Sequence, residues 1–158
     1  NEVLFIRLRQ SHGKMVTFSV VSDQKEMQKV GYDYQDLDTM IYWCREHQIK
    51  IAIDLLVGFP GESWKSVERM VRFFKEHWPD SVGINFYFRL YKNLTLTRKL
   101  LALNSNDSSF SRAYNKNDDF LHTIFYNQLK LDDMRKLIAG DPLFKIEGFE
   151  KSVNYQRV

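Results

Sequence analysis

Ile51-Ala52-Ile53-Asp54-Leu55-Leu56-Val57-Gly58-Phe59-Pro60-Gly61-Glu62-Ser63 is the stretch whose reading decides the fold. Residues 51–57 are apolar except for Asp54, a pattern that suits a strand covered on both faces, as in a parallel sheet. A Pro/Gly loop ends the run. Beyond it, Val67, Met70, Val71 and Phe74 recur at i, i+3, i+4 and i+7, which predicts a helix from about residue 63 to residue 77, stopped by Pro79. Before it, Leu37, Met40, Ile41 and Cys44 repeat the same spacing and predict a helix over 34–48. Two more apolar runs, 15–21 and 81–90, read as strands. Strand, helix, strand, helix, strand in this order implies right-handed βαβ crossovers and a parallel sheet.

Working outward, residues 1–12 read as a helix ended by Gly13, and 24–30 as one or two helical turns before Gly31. Residues 104–119 are rich in Asn and Ser and read as a long loop. Residues 120–129 and 131–139 read as short helices, with Gly140-Asp141-Pro142 as a stop; the tail after Leu143 has strand-like stretches without an assignment. The expected class is α/β: a partial parallel (β/α) barrel of about three parallel strands with crossover helices in residues 1–100. A mainly helical C-terminal extension, a loop and then short helices, follows in 101–158.

The composition narrows the function classes. A chain of 158 residues is long enough for one domain with a real core. The net charge of +3 is small, and its cations alternate with acids, as in Lys75-Glu76, which is the pattern of a solvated helix face and not of a nucleic-acid surface. No apolar run is long enough to span a membrane. The single cysteine, Cys44, excludes a disulfide framework and a thiolate metal site built from this chain alone, and a reducing, cytoplasmic setting fits best. Cys44 falls on the apolar stripe of its helix and reads as a small buried hydrophobe. The opening Asn1-Glu2, without an initiator methionine, suggests a piece of a longer protein.

Ligands of parallel sheets sit outside the carboxyl ends of the strands. Gly58 and Gly61 let backbone approach a ligand closely, and Glu62 or Ser63 can cap the next helix, whose free N–H groups attract anions. The alternative is a tight strand-to-helix turn. Asp54 is a carboxylate inside an apolar strand, costly to bury without a partner; it can accept hydrogen bonds from ligand hydroxyls or pair with a cation elsewhere. Asn85 interrupts the next strand similarly. Arg89 beyond it can bind a carboxylate of a substrate through a bidentate fork, or be a surface arginine. Ser22 offers a hydroxyl at the mouth of the first strand or satisfies its turn. The four histidines have no metal-ligand spacing, and no Ser/His/Asp arrangement, Walker loop or dinucleotide glycine signature is present.

From Met15 to Leu100 the order and spacing resemble the second half of the radical SAM barrel. Val16-Thr17-Phe18-Ser19-Val20-Val21-Ser22 resembles that family's fourth strand, and the opening stretch, Ile51 to Ser63, resembles its fifth. Pro79-Asp80-Ser81-Val82-Gly83-Ile84-Asn85 resembles the entry to its sixth. The family binds S-adenosylmethionine on a 4Fe-4S cluster held by three cysteines, and electron transfer to the cofactor releases a 5′-deoxyadenosyl radical that abstracts hydrogen. The resemblance implies a cofactor contact for Ser22, Asp54, Gly58, Ile84 and Asn85, with Ile84 and Asn85 near the adenine edge partly through backbone groups. The cluster cysteines are absent, and Tyr91 to Thr97 departs from the family's usual Pro-Gly-Thr-Pro loop. The resemblance therefore implies a fragment of a radical SAM iron-sulfur oxidoreductase, inactive alone, whose partner is the remainder of the parent chain. Two alternatives stand beside it. One is a non-catalytic α/β protein-interaction domain, open to self-association through its strand edges. The other is half of another (β/α) barrel enzyme with a phosphate on the Gly58–Gly61 loop.

Overall fold

The computed structural model describes residues 2–86, 88–91, 94–103 and 124–147. Along the chain they form α1 (Glu2–Gln10), β1 (Met15–Val21), α2 (Gln24–Val30), α3 (Tyr34–Glu46), β2 (Lys50–Leu56), α4 (Trp64–His77), β3 (Ser81–Asn85), β4 (Phe88–Leu90), α5 (Thr95–Leu103), β5 (Ile124–Tyr126), α6 (Leu131–Ile138) and β6 (Phe144–Glu147).

Local chemistry sets the element ends. Asp33 caps α3 through the Gln35 and Asp36 amides, while Asp36 reaches back to the Asp33 amide, a reciprocal capping box. Asp23 caps α2, and Gly31 ends it at φ +86°, a left-handed conformation that costs glycine no Cβ strain. Ser63 accepts from the Ser66 amide and opens α4. At the other end of α4 the chain turns through Trp78, at φ +51°, just before Pro79.

The main sheet has the order β1-β2-β3-β6 and is parallel throughout the described residues. The expected partial parallel barrel is therefore present. Its fourth strand, β6, comes from the tail that carried no assignment: Phe144, Lys145, Ile146 and Glu147 pair with Val82 through Asn85. The alternation of Phe144 and Ile146 with charged residues is too short a signal to read without the neighbouring strand.

Burial alternates along β2, with Ile51, Ile53 and Leu55 buried and Ala52, Asp54 and Leu56 partly exposed. The buried set joins Val82, Ile84 and Phe144 in one core with Phe5 of α1, Leu37 and Ile41 of α3, Met70 and Phe74 of α4, and Met134 and Ile138 of α6. The sheet is thus covered on one face, not on both as the apolar run of β2 suggested. Ala52 and Leu56 are apolar on a face that no described helix covers.

Two further readings change. The run 81–90 is not one strand: β3 ends at Asn85, and β4 pairs antiparallel with β5 in a separate two-stranded sheet. Residues 124–126, expected in a helix, form β5, since Ile-Phe-Tyr is a strand-prone triplet with a partner strand to pair with. Residues 120–123 of that expected helix, and all of the expected loop 104–119, lie outside the described residues. The helix α5 had no counterpart in the sequence reading.

Candidate site on the open sheet face and its strand-end loop

Parallel register puts Ser19, Asp54, Gly83 and Lys145 in one row across the sheet, and Val21, Leu56, Asn85 and Glu147 in the next. Strand alternation sends all eight side-chain positions toward the open face. Asn85 leans back and donates from Nδ2 to Asp54 Oδ1 at 3.0 Å. Glu147 leans back over Gly83, where an added Cβ would lie 3.0 Å from Glu147 Oε1 and 3.1 Å from its Cδ. The Glu147 carboxylate thus occupies the space over Gly83, on the same face as the Asp54–Asn85 pair. The arrangement can accept several hydrogen bonds from hydroxyls or amines, and Asp54 has a second oxygen for such a ligand.

The strand-end loop is organised around Glu62, which is 6% exposed. One carboxylate oxygen accepts from the amides of Gly58 at 2.5 Å and Phe59 at 3.1 Å; the other faces the hydroxyl of Ser22. Ser22 is fully buried, and its amide and hydroxyl each lie 3.1 Å from the Leu56 carbonyl. Burial raises the Glu62 pKa from its ordinary value, against the hydrogen bonds from Ser22, Gly58 and Phe59; the Asp23 charge adds to the rise. Tyr34 stands nearby with a buried hydroxyl that has no partner among the described residues, and burial raises its pKa as well.

Each expected site residue can now be placed. Asp54 and Asn85 come together on the open face. Ile84 points to the opposite face and is fully buried, so only its backbone is available at the open side. Gly58, at φ +89°, sits at the end of β2, and the close approach it permits is occupied by the Asn127 carboxamide, which an added Cβ would overlap. Ser22 lies inside the loop network and not on the open face. Arg89 pairs by backbone with Phe125, and its side chain lies outside the described residues. The anion-friendly turn is also redefined: the Gly58 and Phe59 amides are used by Glu62, and Ser63, not Glu62, caps α4. That removes the support for a phosphate on this loop.

Sequence reasoning missed Glu147, Asn127 and Gln128. Gln128 donates from Nε2 to the carbonyls of Phe59 and Glu62, each at 2.8 Å, and accepts from the Gly61 amide at 3.2 Å. The dipeptide Asn127-Gln128 is a compositional hint of polar recognition, but only tertiary pairing shows what it holds.

The chain offers no cluster ligands. Cys44 is buried on α3, with its thiol pushed up to about 11 first by burial and then by the Asp80 charge. Among the described residues no group of three or more His, Cys, Asp or Glu is placed to hold a metal ion. No helix of the described residues is long and apolar enough to cross a membrane.

The four-stranded parallel sheet with its crossover helices and carboxyl-end loops has the architecture of a partial (β/α) barrel. Two similar solved structures are of the radical S-adenosylmethionine methyltransferase TsrM from Kitasatospora setae. The structure with tryptophan substrate and the SAM analogue aza-SAM bound has a TM-score of 0.73 over 96% of this chain, at 15% identity. The structure with cobalamin and a 4Fe-4S cluster bound has a TM-score of 0.66 over 88% of it, also at 15% identity. The chain spans 33–36% of the length of those proteins. No family model matches the sequence, and no curated protein matches it. The oxidoreductase reading has no support in these structures, whose protein is a methyltransferase.

Proposed function

We propose that the chain is part of an S-adenosylmethionine-dependent radical enzyme and supplies one wall of its cofactor and substrate site. The observation that carries this reading is the open sheet face, where Asp54 and Asn85 meet at 3.0 Å on adjacent strands beside the Glu147 carboxylate over Gly83. A nucleoside cofactor presents ribose hydroxyls that a carboxylate accepts and base edges that backbone groups at strand ends recognise. Asp54 and Asn85 fit the first requirement; the backbone from Ile84 onward is proposed for the second, and Gly58, whose amide is taken by Glu62, shapes that rim. Ser22 acts through the loop, by holding Glu62. Arg89 is proposed for a substrate carboxylate.

The 4Fe-4S cluster does not fit this chain, whose one thiol is buried and protonated. Its ligands belong to the remainder of the parent protein, which is also the partner that covers the open face. When bound, S-adenosylmethionine supplies the radical or methyl chemistry. Methyl transfer is the activity of the similar structures, and it replaces hydrogen abstraction by an oxidoreductase as the preferred reaction class. A reducing, cytoplasmic setting belongs to the same proposal.

The test uses the parent protein reconstituted anaerobically with iron and sulfide. Asp54→Ala should weaken S-adenosylmethionine binding while cluster content, read by iron analysis and visible absorption, stays unchanged. A parent that lacks a cysteine triad, or one that binds S-adenosylmethionine equally well with Asp54→Ala, would sink the reading. The rival, a protein-interaction domain, is favoured by the apolar surface at Leu4 and Met15, 55% and 61% exposed. It predicts stable self-association by light scattering and no effect of S-adenosylmethionine on the melting temperature.

A further inference from the structure

Asn127 and Gln128 leave β5 and cross the carboxyl ends of β2 and β3. Asn127 Nδ2 donates to the Phe86 carbonyl and lies 3.5 Å from the Val57 carbonyl. Its Oδ1 accepts from the Leu129 amide at 2.5 Å, which fixes the amide's orientation. Gln128 spans the loop from Phe59 to Glu62 with both its donor and its acceptor. Apart from the adjacent Leu129, the bonded groups lie 66 to 70 residues away in sequence, or 41 in the case of Phe86.

The chemistry suits the place. The last carbonyls of parallel strands have no further ladder partner, and burying them unpaired is costly. A primary amide carries two donors and an acceptor, so one residue can serve two carbonyls and a backbone N–H. Asn127 is 5% exposed, and the space it fills exists only because residue 58 has no Cβ. Glycine at position 58 and asparagine at position 127 are therefore one device: the first opens the strand end, and the second locks it.

We propose that Asn127 and Gln128 are positioning residues for the cofactor site, holding the Gly58–Glu62 loop and the ends of β2 and β3 in the shape the ligand meets. The proposal rests on the reading of that rim as an S-adenosylmethionine site. It assigns residues 124–129 a regulatory part. By linkage, whatever stabilises the strap favours the ligand-ready loop, and ligand on the loop protects the strap.

Amide hydrogen exchange on the full chain tests the first half without ligand. Gln128→Ala should speed exchange about tenfold or more at Gly58 and Phe59, whose amides bond Glu62 and not Gln128. Exchange across β1 and β2 should stay within about twofold of wild type. Faster exchange at Gly61 alone would mean a local hydrogen bond and no positioning, and would overturn the proposal. Gln128→Glu keeps the acceptor for Gly61 but loses both donors, so it should reproduce the Gly58 and Phe59 effect even if the alanine variant folds poorly. The second half uses S-adenosylmethionine as the probe in titration calorimetry on the reconstituted parent protein. Affinity should fall about tenfold or more in Gln128→Ala, and the ligand should slow exchange at Leu129 in wild type. Loop exchange that accelerates with affinity unchanged would overturn the coupling. A reconstituted wild-type parent that does not bind S-adenosylmethionine would overturn the cofactor reading, while the exchange data would still decide whether residues 124–129 position the loop.

Discussion

Replacing Gly58 with alanine tests the strand-end geometry most directly. Two separate costs arise. The first is backbone: φ is +89°, and an L-residue with positive φ costs about 1–2 kcal/mol. The second is displacement of Asn127, because the new methyl would overlap its buried carboxamide. Moving that amide breaks its hydrogen bonds with the Phe86 carbonyl and the Leu129 amide, which together cost about 1–3 kcal/mol. Together they predict a loss of about 2–5 kcal/mol, or about 1–2.5 M in urea midpoint at a slope near 2 kcal/mol/M. Gly61→Ala is the internal control: its φ is +82°, yet nothing lies within 4 Å of an added Cβ, so it should show the backbone cost alone. Urea unfolding by circular dichroism reads both variants, and a cycle with Asn127→Ala isolates the second cost. In the Asn127→Ala background, Gly58→Ala should cost about as much as Gly61→Ala, near 1–2 kcal/mol. If Gly58→Ala and Gly61→Ala are equally destabilising in the wild-type background, Asn127 is not packed over Gly58 and the account of the strand end fails.

Glu62→Gln gives a pH test with a definite sign. Burial raises the folded-state pKa of Glu62, so this group contributes its full stability below the unfolded value of 4.5 and loses it as pH rises through the raised value. Relative to wild type, the Gln variant should therefore gain urea midpoint between acid and neutral pH; parallel curves would refute the assignment. Gly83→Ala should change stability by under about 1 kcal/mol, because the contact at 3.0 Å is the mobile end of Glu147. It should nevertheless weaken S-adenosylmethionine binding by the parent protein, by pushing the Glu147 carboxylate toward the ligand face; unchanged affinity in calorimetry would place the ligand elsewhere. Cys44, fully buried with its pKa pushed up to about 11, should resist iodoacetamide at pH 8 in the folded chain and react on unfolding. Rapid labelling of the native protein by mass spectrometry would contradict the packing of α3.

Much of the fold was legible because its signals are local. The stripes of α3 and α4 repeat over three turns or more, and the ends of α2 and α4 carry Asp, Gly and Ser in the positions that capping requires. Part of the candidate site was legible for a related reason: Asp54 and Asn85 are polar interruptions in apolar runs, and the sheet brings them into a hydrogen bond. The one-sided cover of β2 was not legible, since Ala52 and Leu56 are apolar on the open face and mask the alternation. Ile124 to Tyr126 are compatible with helix or strand, and pairing with β4 decided between them.

The sequence by itself determined the order of strands and helices from α1 to β3, the parallel sheet they imply, and the loop that closes β2, because hydrophobic spacing and capping chemistry act over a few residues. The tertiary structure alone decided what that loop does. Its amides are taken by its own Glu62, its glycine receives Asn127, and its carbonyls are held by Gln128. β6 joins the sheet by the same kind of distant pairing and brings Glu147 over Gly83. Apart from those of Glu62, these contacts join residues more than sixty positions apart, where no local pattern records the partner.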